Sequence, residues 1–442
     1  MSPIAERLND APVNRRHWRI TIVIGLGLFF DLFDVFLAGV LSTVLTKSFG
    51  VTQSALPLVL GSSFLGMFAG SICMGAAADR FGRRPAFLAN LAIYSLFTLA
   101  GSLSPNATVL IVTRFLAGIG IGAQLPLSDA YLSEMLPTRA RGKLISIAYT
   151  VGFLGVPAVG FSARLLVPLV LFGAAGWRWL FAAGSLGGLC VWILQRDLME
   201  SPRWLESAGR TSDACNVTAA LLGIPANSIL IGAAVATTRP PYATLFAPAN
   251  RRRTLMLYVF QIFQTIGYYG FGTLAPLVLA SKGFTILQSL TYTTIAFLGY
   301  PIGSALSVFV VEKMDRRLLI MLSALAMAIC GLTLGLATAP ALIATMGILY
   351  TLVSNFFSNG FHIFQAEIFS TAIRGRAAGS AYGLSRLSSA AMPFVLLPVL
   401  NDYGPAHMFE AVAAAMLIVI LDIGFFAPRT TGRSVEQIAA GR

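Results

Sequence analysis

The sequence predicts an all-α membrane protein of twelve transmembrane helices in two six-helix halves. Its apolar content, the length of its uncharged runs and a repeat of its own motifs carry that prediction. Of 442 residues, 56% are hydrophobic and only 11% charged, and the mean hydropathy is +0.78. A soluble domain has too little interior to hide that surface, whereas uncharged runs of about 20 residues match the thickness of a bilayer. In lipid the backbone must satisfy its own hydrogen bonds, which leaves helices or a closed barrel. These runs are too long and too uniformly apolar for the alternating strands of a barrel.

Spans are predicted near 20–46, 55–78, 85–103, 108–133, 144–170 and 178–196, then 254–280, 286–311, 318–338, 341–365, 377–399 and 408–427. The polar stretch 197–253 separates them, and its Arg239-Pro240-Pro241 and Pro248 predict a linker with short surface helices at most. The domains are therefore expected at 1–196, a cytoplasmic central loop at 197–253, and 254–442 with a short cytoplasmic tail. The halves repeat. Asp79-Arg80-Phe81-Gly82-Arg83-Arg84 recurs 233 residues on as Glu312-Lys313-Met314-Asp315-Arg316-Arg317. Glu134-Met135-Leu136-Pro137-Thr138 with Arg141-Gly142 recurs as Glu367-Ile368-Phe369-Ser370-Thr371 with Arg374-Gly375, at the same offset of 233. Two separate motifs sharing one offset mark a parallel repeat of six spans, with a site expected between the halves.

A net charge of +13 raises the question of nucleic acid, and the positions of the charges answer it. Arginines and lysines gather before the first and seventh spans and after the second, fourth and tenth, while turns such as Ser104-Pro105-Asn106 are nearly uncharged. That bias sets orientation in a membrane: both termini are expected in the cytoplasm, with no nucleic-acid partner. The polar N-terminus lacks a signal-peptide core, so the first span is expected to serve as a retained anchor in the plasma membrane, or the inner membrane of a bacterium. The four cysteines lack paired spacing, so neither a disulfide framework nor a metal site is expected. Phosphate-cradling loops ending in Lys-Ser/Thr, HExxH and GxSxG are missing, so neither an enzyme, a cofactor nor an ATP-driven pump is expected.

The loop Gly75-x-x-x-Asp79-Arg80-x-Gly82-Arg83-Arg84 between spans two and three resembles the signature loop of the major facilitator superfamily. Arg114-x-x-x-Gly118-x-Gly120-x-Gly122 resembles the second motif of that family. Met199-Glu200-Ser201-Pro202-Arg203-Trp204-Leu205 is similar to the "PESPRWL" signature of its sugar-porter-like branch, with Met199 for the first proline. Pro428-Arg429-Thr430-Thr431-Gly432 resembles the terminal "PETKG" element, with Arg429 where Glu is usual. The resemblance implies the major facilitator fold. It also implies a cytoplasmic gate built from Asp79, Arg83, Arg84, Glu134, Arg141, Glu200, Glu312, Arg316, Arg317, Glu367 and Arg374. That branch holds sugar porters, niacin and aromatic-acid symporters and organic-ion carriers.

Charges inside spans are expensive, so they usually line a pathway or pair with one another. Asp31 and Asp34, spaced i, i+3 on one face of the first span, cannot both stay comfortably ionised, which makes them the leading proton carriers. Such a pair can also be a fixed tie between helices. The family resemblance places Arg114 opposite Asp34, where a permanent cation would tune proton binding or serve as a folding bridge. Arg386, midway along the eleventh span, has no acid in its own span and should find an anion, either Asp31 or a substrate carboxylate like that of the niacin and organic anion carriers. Gln261, Gln264, Tyr268 and Tyr269 resemble the polar face that sugar porters turn to hydroxyls. Asn355, Asn359, His362 and Gln365 form a polar stripe on the tenth span, where such residues also glue helices together. Phe33, Phe36, Phe271 and Phe356 are candidate wall aromatics.

The function expected is proton-coupled uptake of a small organic acid, an aromatic or pyridine carboxylate, by a monomer whose partners are substrate, protons and lipid. A sugar or polyol symporter is the alternative. Export by antiport ranks below both, on the partial motif Gly152, Gly155, Pro157 and Gly160. A rival outside that class is a membrane sensor that binds but does not translocate, and the large added cytoplasmic domain that usually marks one is missing.

Overall fold

A computed structural model describes residues 3–225, 241–248, 250–311, 313–369 and 371–428. Ten membrane-spanning stretches lie at Arg15–Val40, Leu56–Phe81, Arg83–Ser102, Ala107–Met135, Thr138–Leu166, Gly176–Gln195, Arg251–Ser281, Ile286–Val311, Arg316–Leu336 and Pro340–Gln365. A last helical stretch, Thr371–Phe426, has 56 residues. At 1.5 Å per residue it would run about 84 Å, far beyond a bilayer's hydrocarbon core of about 30 Å. Gly404, at φ 86°, breaks it ahead of Pro405, so 371–403 and 405–426 are the eleventh and twelfth spans. The fold is thus the twelve-helix arrangement. The eleventh span starts at Thr371, six residues before the expected 377, because the polar Thr371–Arg376 turn is helical though too hydrophilic to read as membrane.

Several spans bend, and proline places the bends. Proline cannot donate to the carbonyl four residues back and its ring crowds it. Pro126, Pro157 and Pro301 fall three to four residues after the breaks at Gly122–Ala123, Leu154 and Leu298. Between spans five and six a small hairpin pairs Val170–Leu171 with Ala174–Ala175. Its turn places Phe172 and Gly173 at positive φ, as a tight hairpin requires.

The central stretch is more than a linker. Its helices Pro202–Ser207 and Thr211–Leu222 bury Leu205, Ala214, Cys215 and Leu221 in a core that also takes Ile4 and Leu8 of the helix Pro3–Asp10. This layer caps the face that carries the arginine loops, called here the basic face. Arg239, Pro240 and the terminal element from Arg429 lie outside the described residues. On the opposite face the two halves meet at backbone distance. A Cβ added at Gly39 of the first span would lie 2.8 Å from Thr273 Cα of the seventh, and one at Gly61 of the second would lie 2.6 Å from Ala390 O of the eleventh. The opposite face is therefore closed.

Candidate functional site

Midway through the bundle, Arg386 is 3% exposed and points into aromatic surroundings. Its Nη1 donates to Tyr269 Oη at 2.8 Å and its Nη2 to Tyr382 Oη at 2.7 Å. The guanidinium carbon sits 5.2 Å from the Tyr269 ring centre and 4.4 Å from that of Tyr382. Among the described residues no carboxylate lies within ion-pair distance of it, and its Nε has no partner. The pairing with Asp31 is not made. Two phenols spread the charge of a buried guanidinium but do not neutralise it, so the position remains a place for an anion.

The walls come from both halves. Phe64 of the second span meets Tyr269 edge-on with ring centres 5.2 Å apart, and Phe36 of the first lies 6.2 Å from it. Phe153 of the fifth span stacks on Tyr300 of the eighth at 6.1 Å, and Tyr268 and Phe297 complete the cluster around Tyr300. Such faces suit a flat ring. Of the aromatics proposed from sequence, Phe36, Tyr268 and Tyr269 are here, whereas Phe271 packs within the second half on Tyr350 and Phe409. Tyr382, Tyr300, Phe64, Phe153 and Phe297 were not singled out from sequence. Tyr382 had a readable signal, one helical turn before Arg386.

Asp34 and Arg114 are 0% and 1% exposed and form a buried pair. Arg114 Nη1 lies 2.7 Å from both carboxylate oxygens, and Nη2 donates to Asp34 O at 3.0 Å and Ser63 Oγ at 3.1 Å. Thr98 donates to Asp34 Oδ1 at 3.2 Å, and the Phe181 ring covers the guanidinium at 5.7 Å. Asp31, 3% exposed, has no such clamp, and its Oδ2 lacks a partner among the described residues. It lies within electrostatic reach of Asp34 on its own helix, Tyr94 on the third span and Tyr382 on the eleventh. Asp31 thus neighbours both the clamped carboxylate and Tyr382, whose hydroxyl holds Arg386.

The remaining polar candidates divide. Gln264 Nε2 donates to Gln261 Oε1 at 3.0 Å, and Gln261 Nε2 to Gln365 Oε1 at 3.1 Å, an amide run nearer the basic face than Arg386. Asn355 donates to Tyr300 O, and Asn359 to Ser307 Oγ at 2.5 Å, so both tie the tenth span to the eighth. His362 is exposed. It lies beside Tyr149, whose hydroxyl donates to Asp129 Oδ1 at 2.8 Å, two partners absent from the sequence reading.

At the basic face the residues expected to form a gate share their main contacts across the repeat. Arg83 pairs with Glu134 at 3.1 Å and donates to Ala78 O; Arg316, 233 positions later, pairs with Glu367 at 3.6 Å and donates to Val311 O. Arg141 donates to Leu136 O at 3.2 Å, as Arg374 does to Phe369 O at 3.5 Å. Arg83 also pairs with Asp79 at 2.9 Å, Arg84 donates to Arg196 O at 2.6 Å, and Arg317 to Gly424 O at 2.5 Å. Glu312 lies outside the described residues.

The halves differ at the helix start. The ninth span is capped by its own Asp315, which accepts from Arg317 N and Leu318 N. The third has Gly82 there, at φ 110°, and Glu200 takes the capping role from across the chain, accepting from Arg83 N at 2.9 Å and Arg84 N at 3.2 Å. Nearby Arg203 donates to Asn9 Oδ1 at 2.7 Å. Burial pushes its pKa down, while Glu134 and Glu206 pull it back up.

Comparison with known proteins gives three findings. The family described as "Sugar (and other) transporter" matches residues 16–441. The niacin transporter NiaP of Acinetobacter baylyi is 28% identical, covering 98% of this chain and 99% of its own, and the 4-hydroxybenzoate transporter PcaK of the same organism is 29% identical over 70% of this chain and 68% of its own. The partially occluded inward open structure of the xylose transporter XylE from E. coli superposes with a TM-score of 0.78 at 22% identity, over 95% of this chain and 100% of that one.

Proposed function

The chain belongs to the sugar (and other) transporter family, a group of membrane carriers rather than enzymes, and we propose that it takes up a small aromatic or pyridine carboxylate, such as nicotinate, together with a proton. One observation carries this reading: a buried, uncompensated Arg386 between two tyrosine hydroxyls, inside walls of aromatic rings supplied by both halves. The carboxylate would accept from the guanidinium while the ring lies among Phe36, Phe64, Tyr268, Tyr269 and Tyr300. Relatives named for niacin and 4-hydroxybenzoate, both aromatic carboxylates, support the same class.

In this reading the basic face is cytoplasmic and the chain sits in the plasma membrane, or the inner membrane of a bacterium. Asp34, held by Arg114, and Asp31, free of such a clamp, carry the proton. Tyr382, which holds Arg386, lies within electrostatic reach of Asp31, and this links the charge of a bound anion to the acid that carries the proton. Substrate and proton then cross together as the halves rock about the site. Asn355, Asn359 and His362 line or support the second half's side of the cavity, and the arginine–carboxylate pairs hold the cytoplasmic loops.

The sugar alternative rests on the amide run Gln264–Gln261–Gln365, whose groups suit hydroxyls. Uptake into proteoliposomes under an imposed pH gradient separates the two. Labelled nicotinate and 4-hydroxybenzoate should accumulate, while hexoses and xylose should not; accumulation of the sugars alone overturns the acid reading. Asp34→Asn should abolish accumulation while leaving equilibrium exchange in part, since an amide mimics the protonated acid but cannot cycle a proton. Full accumulation in that variant removes Asp34 from coupling.

A further inference from the structure

Below Asp31, toward the basic face, the interior of the first half holds a cluster of polar side chains that the transport reading does not use. Asn90 of the third span donates to Gln124 Oε1 of the fourth at 3.3 Å, and both residues are 1% exposed. Gln195, the last residue of the sixth span, is equally buried. Among the described residues, Asn90 Oδ1, Gln124 Nε2, both amide atoms of Gln195 and Ser128 Oγ have no partner. Buried polar atoms left without a protein partner are where folded proteins hold ordered water.

The cluster lies directly under the acid. A Cβ at Gly27 would stand 2.8 Å from Gln195 Nε2 and 3.2 Å from Gln124 Nε2, and Gly27 is one helical turn before Asp31 on the same face. The third span repeats the register: Asn90, Tyr94 and Thr98 are spaced by four, with Thr98 on Asp34, Tyr94 within reach of both acids, and Asn90 in the cluster. The titratable groups that reach Asp31 are Asp34, Tyr94 and Tyr382, with Arg114 and Arg386 behind them; the cluster adds none. Ser128, one turn beyond Gln124, continues the line toward the basic face, where Gln195 adjoins Arg196.

Resting on the proton-coupled reading above, we infer that Asn90, Gln124, Gln195 and Ser128 order a water column that carries the proton from Asp31 to the basic face inside the first half, apart from the substrate's path. The Asp31 carboxyl O–H breaks as a water O–H forms, each water passes on another of its protons, and one proton emerges while Asp31 remains a carboxylate. The amides orient water and do not titrate.

The test uses the full chain in proteoliposomes. Infrared difference spectra follow hydrogen–deuterium exchange of the Asp31 carboxyl band, assigned by its loss in Asp31→Asn. The double variant Asn90→Leu/Gln195→Leu, or Gly27→Ala should the double variant not fold, is expected to slow that exchange at least tenfold. Nicotinate accumulation under a pH gradient should fall at least tenfold, with nicotinate counterflow kept within about twofold of the parent. Asn90→Ser, which keeps a water ligand, should retain fast exchange. Unchanged exchange overturns the column, as does an equal loss of accumulation and counterflow. If Asp34→Asn uncouples transport while these variants do not, the column fails and the transport reading stands; if Asp34→Asn leaves coupling intact, the transport reading fails by itself.

Discussion

Arg386 is where residue-scale chemistry separates an acid carrier from a sugar carrier. A charge-assisted bond to a carboxylate in a desolvated site is worth on the order of 2–5 kcal/mol when one partner is removed. Arg386→Ala should weaken binding of nicotinate by that amount. Arg386→Lys should restore only part, since an ammonium lacks the planar fork that reaches Tyr269, Tyr382 and both carboxylate oxygens. Calorimetry of nicotinate and its neutral amide on parent and Arg386→Ala forms a cycle. The amide should bind the parent poorly and lose little more in the variant; losses that simply add would show that Arg386 does not meet the carboxylate. The arginine and the two aspartates stood out in sequence because a charge inside an apolar run is costly and must be paired or line a pathway. Their aromatic neighbours did not, since with 31 phenylalanines and 12 tyrosines a ring in a span carries no signal until packing places it.

At the scale of a helix, the third span depends on a carboxylate 117 positions away from Arg83. Its N-cap position is Gly82, which supplies no side chain, and a Cβ there would stand 2.3 Å from Glu200 Oε2. Replacing Glu200 by Ala should remove a charged cap and lower stability by about 1–2 kcal/mol, read as a drop in the melting temperature of the detergent-purified protein. Glu200→Gln should lose less, because an amide oxygen still accepts. Asp315→Ala should cost a similar amount at the matching start in the second half, where the cap is local. A Glu200→Ala protein as stable as the parent would mean that Arg83 and Arg84 amides are satisfied without it. The repeat at an offset of 233 announced paired arginine loops, and the duplicated bonds of Arg83 and Arg316 follow that register. Sequence did not disclose that one half borrows its cap, because the residue it borrows, Glu200, lies in a stretch that the repeat does not duplicate. The bends were within reach, since Pro126, Pro157 and Pro301 each sit just after one.

For the whole molecule, the transport reading makes the closed opposite face one end of a two-state equilibrium, and the contact that closes it has no room to spare. Gly39 meets the backbone of Thr273, which cannot turn aside as a flexible side chain could. A leucine at position 39 would force the first and seventh spans apart at that face, yet stay clear of Arg386, Asp31 and Asp34 deeper in the bundle. The variant should fold but populate states open on the opposite face. Spin labels at Gln53 and Leu287, exposed on that face in the first and second halves, would report longer distances in Gly39→Leu than in the parent. An overpacked crossing costs about 1–3 kcal/mol, so the ratio of open to closed molecules should rise roughly 5- to 150-fold. Net uptake requires closure after loading, so it should fall steeply, while binding from the opposite side should be retained or tightened, because the competent state is no longer a minor one. Unchanged label distances together with lost uptake would locate the defect in folding or at the binding site rather than in closure. Tightened binding with lost uptake is the outcome peculiar to a carrier that must alternate.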